Sequence, residues 1–147
     1  MSFIVDTSAL DDITKQLERQ GNLAKEVAPR VVQAGASVLV KAQTQELSRV
    51  VNGKRTQGLL RDSIGMGKVE ETARGVRVPV FPQGYQNHGN SRKGKRDRVS
   101  NAQVGFMKEY GSSTQPARPW MKPANKKSQD QVNNAMAQVW ESAHEQR

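Results

Sequence analysis

Apolar residues recur at helical spacing near the start of the chain. Leu10, Ile13 and Leu17 lie three or four positions apart, which predicts an amphipathic helix over residues 8–20. Gly21-Asn22 follows directly, and such a pair is typical of the end of a helix. We therefore predict that the first helix stops before Gly21.

A second and longer apolar stripe follows. Val31, Gly35, Val38 and Ala42 share one helical face, which predicts a helix from the neighbourhood of Pro29 to residues 49–52. The stripe is rich in small residues, which allow a neighbouring helix or sheet to approach closely. Both a core contact and a contact with another subunit fit this pattern.

Alternation with a period of two takes over in the middle of the chain. Residues 76–80 alternate between valine and other residues, and residues 72–75 supply turn formers. We predict a β-hairpin over residues 65–81. Because Pro79 has no N–H to donate, its strand should lie at a sheet edge or leave the sheet there.

A further strand and a proline corner are predicted next. Residues 104–110 are largely apolar and indicate a short strand that Gly111 ends. Pro116 and Pro119 hold the following backbone in an extended path, since proline fixes φ and disfavours helix in the residue before it. Trp120 then provides a large apolar anchor.

The last segment has helical spacing again. Val132, Met136 and Ala143 predict a helix over residues 123–143, with Pro123 as its first residue, where a missing N–H costs nothing. The whole pattern predicts an α+β fold in a single domain over residues 1–147. Two N-terminal helices would precede a small antiparallel sheet of three to four strands with a long basic loop, and the C-terminal helix would pack on the sheet.

Positive charge changes this picture. The net charge is +9 and the isoelectric point is near 10.2, which favours polyanionic partners. Residues 82–100 form the basic loop, which we expect to be mobile in the free protein. A finger that contacts DNA or RNA, a loop that orders on an acidic partner and a merely solvated loop are all open. Its cations are Arg92, Lys93, Lys95, Arg96 and Arg98.

Basic residues also begin the last helix. Lys122, Lys126 and Lys127 lie at the end where the helix dipole disfavours cations. They suit either an external anion or acidic surface, or simple solvation of the helix.

Candidate chemistry is sparse in this sequence. The chain has no cysteine and two isolated histidines, so we expect no catalytic residue, metal site or cofactor, and no small-molecule substrate. No apolar run approaches the length needed to span a membrane. Glu109 is the notable acid, and we predict a structural ion pair with Arg118. Hydrophobic content of 35% and a mean hydropathy of −0.77 suggest a small core that is completed by other subunits.

Two segments resemble one family. Residues 109–124, EYGSSTQPARPWMKPA, are similar to the segment E-aromatic-G-T/S … P-A-R-P-aromatic-M/L-x-P-A of the tail-component family of lambdoid phages. Residues 56–64, TQGLLRDSI, resemble that family's T-G-x-L-R-x-S-I, with one extra residue between Thr56 and Gly58. We call residues 56–64 the first motif and residues 109–124 the second motif. The motif residues that we select as candidate interface positions are Gly58, Leu60, Arg61, Ser63, Ile64, Glu109, Tyr110, Gly111, Pro116, Arg118, Pro119 and Trp120.

The resemblance implies a function in the virion. Proteins of this family complete the tail or join head to tail in long-tailed phages, and this chain would assemble with itself as a ring, expected to be a hexamer. Its partners would be tail-tube and head-connector proteins, with non-specific DNA contact a further possibility, and it would be made in the bacterial cytoplasm. The alternative is a small basic nucleic-acid-binding accessory protein, which the charge favours.

Overall fold

The fold is α+β. The computed structural model describes residues 8–50, 60–87 and 98–146. Within these ranges there are three helices and six short strands. The helices are α1 (Ser8–Val50), α2 (Asn101–Tyr110) and α3 (Met121–Glu145). The strands are β1 (Ile64–Met66), β2 (Glu70–Thr72), β3 (Gly75–Arg77), β4 (Val80–Pro82), β5 (Tyr85–Asn87) and β6 (Arg98–Ser100).

The N-terminal region is one continuous helix, so the two predicted helices were wrong. Gly21-Asn22 lies inside α1, and so does Pro29. Glycine inside a helix is about 1 kcal/mol less favourable than alanine, and this cost alone does not end a helix that is stabilised over its whole length by packing. A stop at Gly21 would have required a left-handed backbone conformation, which this glycine does not adopt.

The C-terminal helix packs along α1 rather than on the sheet, which corrects the predicted arrangement. Gln43 donates from Nε2 to Asn125 Oδ1 at 3.0 Å near one end of the pair, and Leu23 and Val27 pack with Ala143 near the other. The two helices are therefore antiparallel. The helix predicted over residues 123–143 is confirmed and spans Met121–Glu145. Pro123 is its third residue rather than its first.

Gly35 is the point of closest approach in this helix pair. A Cβ atom placed there would come within 2.9 Å of Met136 Sδ and 3.2 Å of Val132 Cγ1. The small residue in the α1 stripe therefore serves packing inside the subunit, one of the two interpretations left open.

The predicted hairpin is confirmed, although its ladder is interrupted. β2 and β3 pair antiparallel at the tip, and β1 pairs with β4 at the base. Pro79 lies between β3 and β4. No strand pair requires an N–H at this position, so the proline breaks no hydrogen bond of a β-ladder. The predicted sheet of three to four strands is instead three separate two-stranded sheets, the third formed by β5 and β6.

Residues 104–110 belong to α2, so the strand predicted there was wrong. Ser100 caps this helix, because its Oγ accepts from the N–H of Gln103 at 3.1 Å. The buried positions Asn101, Val104, Gly105 and Glu109 follow a period near 3.6 rather than 2.

One core holds the smaller elements against α1. Five residues from α1, the segment leading into β1, β1 itself, α2 and the connection before α3 are buried together: Leu47, Leu60, Ile64, Val104 and Trp120. A second cluster, of Leu23, Val27 and Ala143, closes the far end of the helix pair.

Candidate functional site

The connection from α2 to α3 is fastened by one buried carboxylate. Glu109, 5% exposed, accepts hydrogen bonds from the backbone N–H groups of Trp120 at 2.6 Å, Met121 at 2.8 Å and Lys122 at 3.1 Å. The first N–H groups of a helix have no partner within it and carry the positive end of its dipole. Glu109 therefore caps α3 from a neighbouring helix. The predicted ion pair with Arg118 was wrong, since the carboxylate serves backbone donors instead.

The proline completes this cap. Pro123, the third residue of α3, has no N–H, and the N–H of Ala124 already bonds to the carbonyl of Trp120 at 3.2 Å. The start of α3 thus needs no further hydrogen-bond acceptor.

Gly111 makes the turn between the two helices possible. Its φ of 82° and ψ of 174° lie in a region that only glycine enters readily, and its N–H closes α2 by bonding to the carbonyl of Met107 at 2.9 Å. A Cβ atom there would meet the backbone N of Ala117 at 2.9 Å. The loop is held further by the N–H of Arg118, which donates to the carbonyl of Lys108 at 2.7 Å.

Trp120 anchors the second motif in the core. Its side chain is fully buried, and its Nε1 donates to the carbonyl of Gly105 at 3.1 Å. Gly105 permits this approach, because a Cβ there would lie 3.1 Å from the indole. The tryptophan thereby fixes α2 against the start of α3.

The first motif meets the second in the same core. Leu60 and Ile64 are buried with Trp120. Ser63 Oγ donates to the carbonyl of Leu60 at 2.6 Å, and the N–H of Gln83 donates to the carbonyl of Ser63 at 2.8 Å. Leu60, Ser63 and Ile64 thus hold β1 in place.

Other candidate positions are exposed or lie elsewhere. Arg61 pairs with Asp62 at 3.1 Å rather than contacting the second motif. Pro116, Arg118 and Pro119 are exposed. Gly58 and the basic-loop residues Arg92, Lys93, Lys95 and Arg96 lie outside the described residues, and Arg98 begins β6.

An open cleft lies beside this connection. It has a volume of about 490 Å³ and is bounded by α1, β4, the end of α2 and the start of α3. Gln43 contributes a buried Oε1 that has no hydrogen-bond partner among the described residues. The lining residues are Leu39, Gln43, Val80, Glu109, Tyr110, Met121, Lys122 and Asn125.

One cleft residue, Tyr110, belongs to an exposed aromatic pair. Phe106 and Tyr110 stack on the outer face of α2, with ring centroids 6.1 Å apart and planes 11° apart. They are 50% and 74% exposed. Tyr110 was among the predicted interface positions and Phe106 was not, because residues four apart are neighbours on a helix but not on the strand that was predicted here.

Most of the cations just before α3 and in its first two turns form no ion pair with another described residue. Lys127 pairs with Glu46 at 3.2 Å. Arg118, Lys122 and Lys126 are exposed and form no ion pair among the described residues.

The residues that the structure describes contain no cluster of three or more potential ligands that could hold a metal ion. No helix in these ranges combines the length and hydropathy that a bilayer crossing requires.

The comparisons with known proteins find no match. No family model, no curated protein and no solved structure matches the chain.

Proposed function

We propose that this protein is a virion structural protein, a ring subunit that completes the tail or joins head to tail in a long-tailed phage or prophage. The observation that carries the proposal is the meeting of both motifs at Trp120. Leu60 and Ile64 of the first motif and Trp120 of the second share one buried cluster, although some 60 positions separate them in sequence. Their joint role in the core suits motifs that define a common fold.

Limited burial within the subunit supports assembly as its mode of action. Each described strand has three residues and pairs with one neighbour, and a two-stranded sheet is marginally stable alone in water. Side chains at the tip of the β2–β3 hairpin are exposed. Its cross-strand side-chain contacts include the ion pair between Arg77 and Glu70 at 2.6 Å and the hydrogen bond from Thr72 Oγ1 to the carbonyl of Gly75 at 3.0 Å. Neighbouring subunits would supply the missing burial.

The mechanism that we propose is binding by surface complementarity. A ring, expected to contain six copies, would cap the tail tube, stop its growth and present a docking face to the head connector. DNA would pass through its centre without being read. Contacts between the exposed lysine and arginine side chains of this chain and acidic neighbours or the DNA backbone would weaken at higher salt concentration, because salt screens the charges.

The direct test is a phage or prophage from which the coding sequence has been removed. Electron microscopy of induced lysates should then show full heads and separate tails, and supplying the wild-type chain in trans should restore joined particles. Joined, infectious particles in its absence would overturn the proposal.

A basic nucleic-acid-binding accessory protein remains the second candidate. Arg118, Lys122 and Lys126 favour it, because they are exposed and form no ion pair with another described residue. Light scattering coupled to size exclusion, together with duplex titrations at moderate salt, distinguishes the two. A monomer or dimer with nanomolar duplex affinity supports the accessory protein, whereas a ring-sized species with weak affinity that is independent of sequence supports the virion subunit.

A further inference from the structure

The outer face of α2 presents two aromatic rings to solvent. Phe106 and Tyr110 are four residues apart and therefore neighbours on the helix, and they are 50% and 74% exposed. Their planes are 11° apart, so the rings form a nearly parallel pair. Apolar residues exposed singly are common on protein surfaces, whereas an exposed pair of stacked rings is a surface that a partner can use.

Positive charge is concentrated in the same part of the chain. Residues 101–129 contain five basic residues and one acidic residue, Glu109. Glu109 is buried and accepts hydrogen bonds from three backbone N–H groups, so its charge is compensated by the start of α3. The five basic residues are Lys108, Arg118, Lys122, Lys126 and Lys127.

Contacts within the subunit place three of these cations beside the rings. Tyr110 and Lys122 line the same cleft, and Lys126 follows Lys122 by one turn on the same side of α3. Arg118 is held against α2, because its N–H donates to the carbonyl of Lys108 at 2.7 Å. We call the two rings and the three cations the aromatic-basic surface, which consists of Phe106, Tyr110, Arg118, Lys122 and Lys126.

Two of the lysines occupy positions that disfavour the helix to which they belong. Lys122 and Lys126 lie in the first two turns of α3, where both the helix dipole and their mutual repulsion oppose a positive charge. Neither forms an ion pair with another described residue, whereas Lys127 pairs with Glu46 at 3.2 Å. A placement that weakens the local structure is typical of residues that bind a partner, here an anionic one.

We infer that the aromatic-basic surface binds single-stranded nucleic acid, with unpaired bases stacked on Phe106 and Tyr110 and with phosphates at the three cations. Every base has a flat π face, so stacking on the rings accepts any sequence. The bases of a duplex already stack on each other, which makes them unavailable to the rings. This preference for single strands goes beyond the proposed function, which does not require it.

The exposed side chains around the rings favour a nucleic acid over an acidic protein. No leucine, isoleucine, valine or methionine in residues 101–129 is exposed. The core of a protein interface is usually more apolar than the surface around it. An acidic protein would therefore pair with the cations but would find only the two rings to pack against.

Anisotropy titrations with labelled oligonucleotides test the inference. The probe is an oligothymidylate of about 20 nucleotides, which exceeds the usual length of a single-strand site, and a duplex of the same length is the comparison. We expect the wild-type chain to bind the single strand about tenfold or more tightly than the duplex.

Removing the rings should weaken binding without changing its dependence on salt. The double variant Phe106→Leu with Tyr110→Leu keeps apolar, helix-forming side chains but has no π face. Its affinity for the oligothymidylate should fall about tenfold or more. The exchange of Phe106→Tyr with Tyr110→Phe retains both rings and should bind as wild type does. Because both positions are exposed, the melting curves in circular dichroism should stay close to wild type.

Removing the lysines should change the salt dependence. Each phosphate contact on a single strand adds about 0.7 to the slope of log affinity against log salt concentration, so Lys122→Gln with Lys126→Gln should reduce its magnitude by about 1.4. Lys25→Gln with Lys41→Gln removes the same charge from exposed positions of α1 and should leave the slope unchanged. Lys41 lies two positions from Gln43 of the cleft lining and so on the opposite side of α1.

The inference is overturned if the leucine double variant binds the oligothymidylate as tightly as wild type, because the rings then stack on no base. Equal or tighter binding of the duplex would assign the surface to double-stranded DNA. Displacement of the oligothymidylate by polyglutamate at equal charge concentration would assign it to an acidic protein. A wild-type chain that binds no oligothymidylate at low salt also overturns it. In each case the proposed ring subunit still stands, because its own test is the joining of heads to tails.

Discussion

At the scale of single residues, Glu109 has the most consequential role that the structure reveals. Its carboxylate serves three backbone donors at once and is almost fully buried. The sequence indicated that Glu109 and Arg118 lie in one compact segment, and that much was correct. The sequence did not indicate which groups Glu109 bonds to, because every residue except proline has the same backbone N–H and the residue type does not mark the ones that donate.

Replacing this carboxylate should destabilise the fold. Glu109→Gln exchanges one acceptor oxygen for an NH₂ group that would face backbone donors. We expect a loss of about 1–3 kcal/mol in the free energy of unfolding, measured by urea denaturation. Glu141→Gln, an exposed change on α3, should stay within about 0.5 kcal/mol of wild type. Equal stability of the two variants would contradict the capping role.

Gly111 is the second residue whose role is specific. In Gly111→Ala, both an unfavourable backbone conformation and a collision with the backbone of Ala117 oppose folding. Gly75→Ala is the matched control. Gly75 also has a positive φ, of 134°, but among the described residues no atom beyond its two chain neighbours lies within 4 Å of the place that a Cβ would take. We expect Gly111→Ala to cost about 1–3 kcal/mol more than Gly75→Ala in thermal or urea unfolding. A loss of unfolding free energy in Gly111→Ala no larger than that in Gly75→Ala would show that the loop after Gly111 can move to accommodate a Cβ atom.

At the scale of elements, spacing predicted some segments well but divided the longest one, since the single helix α1 was expected as two helices. The α+β class, the hairpin and the C-terminal helix followed from spacing alone. α2 was missed because a short apolar run fits both periods, and Ser100 with Gln103, a capping-box pattern, was the signal that could have identified it. The packing of α3 on α1 rather than on the sheet depends on which apolar faces meet, which local spacing does not encode.

The continuity of α1 gives a prediction at Gly21. In the described part of the chain, no atom beyond the neighbouring residues and the helix backbone lies within 4 Å of a Cβ at this position, so alanine fits without collision there. Gly21→Ala should therefore stabilise the helix locally by about 0.5–1 kcal/mol. Helical circular dichroism should rise slightly, and the amides of residues 15–20 should exchange more slowly. Faster exchange would instead favour a helix end at Gly21.

At the scale of the whole molecule, the small core is the dominant feature. Ten apolar residues are buried in the described part of the chain, while Leu17, Phe106 and Tyr110 remain at least half exposed. The sequence predicted this shortage from composition. It could not indicate which surfaces remain uncovered, since that depends on where α3 ends relative to α1.

Association should therefore contribute to measured stability. Because each tenfold rise in concentration favours an assembled state by about 1.4 kcal/mol per subunit bound, the melting temperature should increase by about 3–6 °C per decade of protein concentration. Differential scanning fluorimetry over two decades measures this. A constant melting temperature would indicate a subunit whose stability is complete on its own.

The cap on α3 also limits how this protein can meet phosphate. The exposed start of a long helix is ordinarily a ready receptor for anions, because free amides and the dipole act there together. Here Glu109 already occupies those amides and Pro123 supplies none. The phosphates of a nucleic acid strand passing this end would contact lysine and arginine side chains alone. Such contacts attract phosphate without fixing its position, so the strand could slide along this surface.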